Sequence, residues 1–298
     1  MKTFAKLIAP LALLLPAPAC AQITPVTVVR QATPALWVVK DADTTIYLFG
    51  TIHVLKPGIN WFDKGVKKAF DSSNQVVLEM VMPDTATMQA IVKEKGYAHD
   101  GVALTERLSG DKRVAYTKAM ADLGLPATTF DKLQPWFAAV NLESLPLQKL
   151  GYDVSNGPEQ IITKAAGDAG KPVIGLETAE QQLGFFDGLS MPAQVAFLSA
   201  TVDEAPTIGK QIETMVDQWA RGDSVALAKT LNDDVADSPE LEKILLTDRN
   251  QHWADWIEQR MKQPGVVFMA VGAGHLSGKN SVLVMLQAHH LKAERVKY

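Results

Sequence analysis

Apolar residues along this chain fall into two kinds of run. Short β-type runs stand at Leu36-Trp-Val-Val39, Thr45-Ile-Tyr-Leu-Phe49, Gln75-Val-Val-Leu-Glu-Met80, Lys171-Pro-Val-Ile-Gly-Leu-Glu177 and Val266-Val-Phe-Met-Ala-Val271. Runs of this length, rich in β-branched and aromatic residues, predict strands. Lys40-Asp-Ala-Asp43 supplies turn chemistry between the first two, so they predict a hairpin. Elsewhere apolar positions recur at helical spacing, as at Val66, Ala69 and Phe70, at Met88, Ile91 and Val92, and at Val114, Met120 and Leu123. Residues 130–150 continue in this way through Trp136, Phe137, Val140 and Leu147, and a later face joins Ile208, Ile212, Met215, Val216 and Trp219. Helices are also predicted over 158–167, with Pro158 in the first turn, over 241–261 and over 279–289. Residues 293–296 read as an edge strand. The two ends of the chain thus supply strands and its middle supplies helices. That order predicts the α/β class: a central mixed β-sheet with flanking helices, one domain over 22–298, and a helical insertion at about 84–156.

The first residues follow a different logic. Lys2 and Lys6 precede a short apolar run, Leu7 to Leu15, and Ala19-Cys20-Ala21 offers a small-x-small cleavage pattern. Residues 1–21 are therefore read as a bacterial Sec-type signal peptide, and the protein as exported, periplasmic or secreted. Lipid anchoring at Cys20 is disfavoured, because Ala17-Pro-Ala19 lacks a large aliphatic residue three places before the cysteine. Cleavage removes the chain's one cysteine, so any metal must be held by His, carboxylate or water. It also leaves 27 basic against 33 acidic residues, a formal charge of −6 that argues against nucleic acid as a partner. No later apolar run has the length of a transmembrane helix. Oligomeric state has no signature in the sequence.

Candidate chemistry concentrates at strand ends. Gly50-Thr-Ile-His53 and Gly272-Ala-Gly-His275 both read Gly-x-x-His, and each closes a β-type run. Glycine lets a strand turn sharply close to a ligand, and open α/β sheets place their sites at the carboxyl ends of strands. His53 and His275 are accordingly the first candidates for one divalent metal ion, Mn, Co or Zn, with a carboxylate or a third His to complete the set. Glu79 ends the run Val76-Val-Leu78 and is either an edge residue paired with a lysine, a metal ligand, or a base toward metal-activated water. Its strand is expected beside the one that delivers His53. Glu177 presents the same pattern and either reaches the site or caps the helix starting near Thr178. Arg249 interrupts an apolar face formed with Leu245, His252 and Trp256. It either binds substrate or forms a structural ion pair, and Asn250 is a weaker companion. His99, His252, His289 and His290 lack the strand-end setting, and the last two are expected to be solvated. No His-Glu-x-x-His, Gly-x-Ser-x-Gly or Walker motif is present, and Gly272-x-Gly274 lacks the third glycine of a dinucleotide fingerprint.

Taken in order, Pro34-Ala-Leu-Trp37, Tyr47-Leu-Phe-Gly-Thr-Ile-His53, Val77-Leu-Glu79, Pro135-Trp136, Gly175-Leu-Glu-Thr178, Asp248-Arg-Asn250 and Ala270-Val-Gly-Ala-Gly-His-Leu276 resemble the TraB/PrgY/GumN family. That family belongs to the superfamily of the Tiki membrane metalloproteases. The resemblance covers nearly the whole mature chain. It implies a mixed α/β fold, as in Tiki, erythromycin-esterase and ChaN-like relatives, with both Gly-x-x-His motifs and Glu79 at one site. Tiki-like members are metal-dependent proteases, erythromycin-esterase-like relatives hydrolyse a lactone, and ChaN-like relatives bind haem. Met80 stands where many members continue Leu-Asp. Two functions follow as expectations. One is an exported, peptidase-like metal-dependent hydrolase acting on a peptide or small molecule, with His53, His275 and Glu79 at the metal and Arg249 steadying substrate. The other is a non-catalytic periplasmic protein binding haem, metal or peptide in the same pocket.

Overall fold

The computed structural model describes residues 30–232 and 238–298; the predicted signal peptide, Cys20 included, lies outside them. The strands are β1 (Arg30–Gln31), β2 (Leu36–Lys40), β3 (Thr44–Thr51), β4 (Ile59–Asn60), β5 (Gln75–Met80), β6 (Val173–Glu177), β7 (Gly265–Gly272) and β8 (Glu294–Arg295). The helices that follow β4 and β5 are α1 (Lys64–Ser72), α2 (Thr85–Lys95), α3 (Leu104–Arg107), α4 (Gly110–Asp122), α5 (Pro135–Lys149) and α6 (Pro158–Asp168). Those after β6 are α7 (Ala179–Asp187), α8 (Met191–Glu204), α9 (Ile208–Ala220), α10 (Ser224–Asn232), α11 (Pro239–Glu242), α12 (Asp248–Met261) and, beyond β7, α13 (Val282–Met285).

All six predicted strands join one mixed sheet in the order β6-β5-β7-β3-β2-β8. β2 and β3 form the expected antiparallel hairpin, and the Asp41 carboxylate closes its turn by accepting from the backbone of Asp43 and Thr44. β3, β7, β5 and β6 run parallel. Parallel strands are covered on both faces, and alternate residues serve opposite cores. Val76, Leu78, Phe268 and Ala270 face α1, α6, α9 and α10. Val77, Val267, Met269 and Val271 face α12 and α13. A third core is almost wholly helical and is built from α2, α4, α5, α7 and α8 around Trp136, Phe186 and Phe197.

Three expectations are corrected. β7 lies between β3 and β5, so the strand of Glu79 neighbours that of His275 and not that of His53. Pairing is long-range, and a periodic pattern carries no record of it. The helix predicted over 241–261 is helical throughout but not uniformly α: it widens into a π turn at Lys243–Thr247, a feature that often marks sites. The helix predicted over 279–289 shrinks to α13, then passes into a 3₁₀ turn, Leu286–His289, closed by His290 in the left-handed region. Among the described residues, no helix is long and apolar enough to cross a membrane.

Candidate functional site

The carboxyl ends of β3, β5 and β7 lie side by side because Thr51 is in register with Gly272 and Leu78 with Ala270. Each end delivers one candidate: His53 two residues beyond β3, Glu79 within β5 and His275 three residues beyond β7. Gly272 stands at their centre. A Cβ on it would lie 3.0 Å from Glu79 Oε1, 3.4 Å from His53 Nε2 and 3.6 Å from His275 Cδ2. The strand therefore closes on glycine, and the space a side chain would fill is left between the three groups.

Each ring is held from behind. The Nδ1 of His53 lies 2.7 Å from Glu159 Oε1, an oxygen that also accepts from Thr51 Oγ1. Glu159 reaches it because Gly157, at the entry to α6, packs against the His53 backbone; a Cβ there would lie 2.2 Å from the His53 carbonyl oxygen. The Nδ1 of His275 lies 2.6 Å from Asn250 Oδ1, while Asn250 Nδ2 donates to the carbonyl of Asn280 at 2.7 Å. That second bond turns the amide oxygen toward the ring, so Nδ1 carries the hydrogen and Nε2 keeps its lone pair.

Arg249 knits the remaining acids together. Its Nε donates to Glu177 Oε1 at 2.8 Å, and its Nη2 donates to Glu177 Oε2 at 2.8 Å and to Glu79 Oε2 at 2.7 Å. Its Nη1 donates to the Leu245 carbonyl at 3.3 Å and to His275 Nε2 at 3.1 Å. A guanidinium has five N–H donors, and all five are engaged. Trp253 stacks beneath it, 4.8 Å from ring centroid to guanidinium carbon, and donates Nε1 to Glu177 Oε1 at 3.1 Å. Gln182 bridges Glu79 and Glu177 at 3.3 and 3.0 Å.

These contacts set the charges. Burial works to raise the Glu79 carboxyl, but Arg249, then His275, His53 and the Gly272 N–H at 2.6 Å hold it down at about 2. Burial and the nearby Arg249 cation depress His275 to about 3, so it is neutral at neutral pH. Burial pulls His53 the same way, yet Glu159 outweighs it and raises His53 above its ordinary value. The site thus holds an ionised carboxylate, a neutral imidazole and a second imidazole whose protonated form Glu159 favours.

Residues 35–295 match the family described as TraB/PrgY/gumN. This chain belongs to that family. It is 25% identical over 259 residues to the uncharacterized protein YbaP of Escherichia coli (strain K12), covering 85% of this chain and 92% of that one. The YbaP protein of Shigella flexneri is 28% identical over 190 residues, 62% of this chain and 68% of that one. An uncharacterized protein of Treponema pallidum (strain Nichols) is 21% identical over 278 residues, with 86% and 80% covered. No solved structure matches the chain.

All six candidates of the sequence, His53, Glu79, Glu177, Arg249, Asn250 and His275, are gathered here, with roles for three of them more specific than the sequence allowed. Glu177 does not cap α7; Thr178 and Gln181 do, in a capping box, and both Glu177 oxygens face Arg249. Arg249, Glu177 and Asn250 spend their polar atoms on side chains and backbone carbonyls of the protein itself. The face that Arg249 shares runs through Leu245 and Trp253; His252 is exposed and Trp256 half-buried. His289 is not simply solvated but sits between Asp255 and Glu258 at 3.2 and 3.3 Å. Glu159, Gln182 and Trp253 escape the sequence reading. An acid in the first turn of α6 and a glutamine inside α7 are each explained by the helix alone.

Fit to a divalent ion rests on donor chemistry. Two imidazoles and a carboxylate beside Gly272 are a donor set that suits a borderline cation, and the carboxylate and amide behind the rings match the outer shell of such sites. As placed, no three His, Asp or Glu groups among the described residues close on a common point. An ion would take the His275 Nε2 lone pair now shared with Arg249.

Two cavities meet at His53 and Glu79. One, about 50 Å³, runs beneath α5 and α9 between aliphatic walls; the other, about 120 Å³, opens past Met80, Val81 and Met82.

Proposed function

We propose that this protein is an exported metal-dependent hydrolase, peptidase-like in its chemistry. His53, His275 and Glu79 would hold the ion, and the observation that supports this reading is their convergence on the empty Cβ position of Gly272. When bound, such an ion supplies Lewis acidity, polarising a scissile carbonyl and acidifying water. Glu79 suits the ligand role better than that of a base, since a carboxyl held at about 2 takes up protons poorly at neutral pH. His53, its Nδ1 fixed by the Glu159 carboxylate, would turn Nε2 toward the ion. Arg249 positions Glu79, Glu177 and His275 rather than presenting a free donor to substrate. Asn250 fixes the tautomer of His275. Cavities of this size are well below the roughly 300–1,000 Å³ of drug-sized pockets, which favours a peptide side chain over haem as the occupant.

The test is hydrolysis of a panel of peptides and esters by protein stripped with chelator and reloaded with Mn²⁺, Co²⁺ or Zn²⁺. Activity is expected only after reloading, and His53→Ala and His275→Ala are each expected to abolish it while keeping the circular dichroism spectrum. Full turnover in either variant, or turnover indifferent to chelator, rejects the reading.

A further inference from the structure

The smaller cavity carries polar groups for which the proposed hydrolysis has no use. Glu143, on α5, lines it at 8% exposure. Its carboxyl makes no hydrogen bond to any described residue. Gln211, on α9, lines it as well; its amide nitrogen donates to Thr207 Oγ1 at 3.1 Å, and its Oε1 is buried without a partner among the described residues. The walls around both are aliphatic: Leu147, Ile208, Ile212 and Met215. Glu204, at the end of α8, adds a further acid beside Glu143.

An amide oxygen only accepts, and so does the Glu143 carboxyl once it gives up its proton; the complement of that pair is a group that only donates. An alkylammonium has three N–H donors, no acceptor and an apolar stem. We propose that this cavity is a subsite for the alkylammonium side chain of a lysine-like residue, its head held by Glu143 and Gln211 and its methylenes by the four aliphatic side chains. Calling it a subsite rests on the hydrolase reading, because His53, Glu79 and His275 line the same cavity. The volume agrees. One water needs about 10–15 Å³ on this measure, so about 50 Å³ takes roughly four waters or a short alkyl chain with its head group.

Binding has a proton balance. With no amine present, burial and then Glu204 hold the Glu143 carboxyl well above the usual carboxylate range, favouring its protonated form. An entering ammonium donates to the Glu143 oxygens and the carboxyl proton leaves to solvent, one released for each amine bound. Affinity for amine therefore rises with pH while Glu143 stays protonated in the free protein. Among the described residues, the other charged or titratable groups on this cavity are His53, Glu79 and His275, with Glu204 beside Glu143.

The experiment is calorimetric titration of the purified chain with n-butylamine and with n-butanol, in two buffers of different ionisation heat. The amine is expected to bind at least about tenfold more tightly than the alcohol and to release one proton. Glu143→Gln is expected to abolish both the preference and the release while the alcohol still binds. Gln211→Leu should weaken the amine alone. Equal binding of the two probes, binding of neither, no proton released, or an unchanged preference in Glu143→Gln overturns the proposal. Neither probe has a bond to hydrolyse. Amine selectivity without turnover would therefore sink only the hydrolase reading, and turnover without selectivity only this one.

Discussion

Glu143 shows how burial turns a carboxyl into a liability as pH rises. In the unfolded chain it ionises near 4.5; in the folded chain burial and Glu204 keep its proton on well above that value. The folded state therefore binds the extra proton, and stability is fully present below the unfolded value and lost as pH rises toward the folded one. Each pH unit inside that window removes about 1.4 kcal/mol. Glutamine matches the neutral carboxyl in shape and has no proton to lose. Glu143→Gln is expected to melt with the wild type at about pH 4 and above it at about pH 8. A melting difference that does not change with pH would mean the carboxyl is solvated. The carboxylates at the metal candidate behave oppositely: Glu79 is compensated by Arg249 and Gly272 and is already ionised at neutral pH. The two acids line one cavity; Arg249 and the Gly272 N–H hold one as an anion, while burial and Glu204 favour the protonated form of the other.

At the scale of elements, what matters is how strands end. Gly272→Ala keeps β7 long and apolar but sets a methyl 3.0 Å from Glu79 Oε1 and 3.4 Å from His53 Nε2. Contacts that short force one of the two groups aside. The variant is expected to keep the wild-type circular dichroism spectrum and to lose at least about tenfold in turnover or metal affinity, as a displaced ligand shell does. Wild-type function in Gly272→Ala would show that the cradle is not the working centre. The endings themselves are legible in the sequence, because an apolar run stopped by glycine and followed by histidine is a local signal. So is Glu79, a charge inside a buried run. Strand order is not legible, since periodicity says which residues form a strand and nothing of their neighbours; hence β7 intervenes where β3 was expected beside β5. Glu159 is hidden for a related reason: its meeting with His53 depends on Gly157 packing against a backbone 104 positions earlier. On α12 two helical stripes share Arg249, and only packing selects the one through Trp253 and Ile257.

Across the whole molecule, the site joins the start of the described chain to its end. His53 leaves β3, Glu79 sits in β5 and His275 leaves β7, so a ligand held by all three fastens three strands that only the folded chain brings together. Such a ligand binds the native state and not the unfolded one, and its binding free energy adds to stability. At about 100 times its dissociation constant the gain is about 2.7 kcal/mol. For a chain of this length that is a rise in Tm on the order of 5 °C. Mn²⁺, Co²⁺ or Zn²⁺ is therefore expected to raise the melting temperature in a concentration-dependent way, and chelator to reverse it. The shift should vanish in His53→Ala and in His275→Ala and persist in Glu143→Gln, whose carboxyl is not among the three proposed ligands. The controls matter because exposed carboxylates also collect divalent ions weakly, and that stabilisation would be the same in every variant. A shift of equal size in the wild type and both histidine variants would place the ion on the surface. The converging imidazoles would then be left as packed, hydrogen-bonded groups at the end of a sheet.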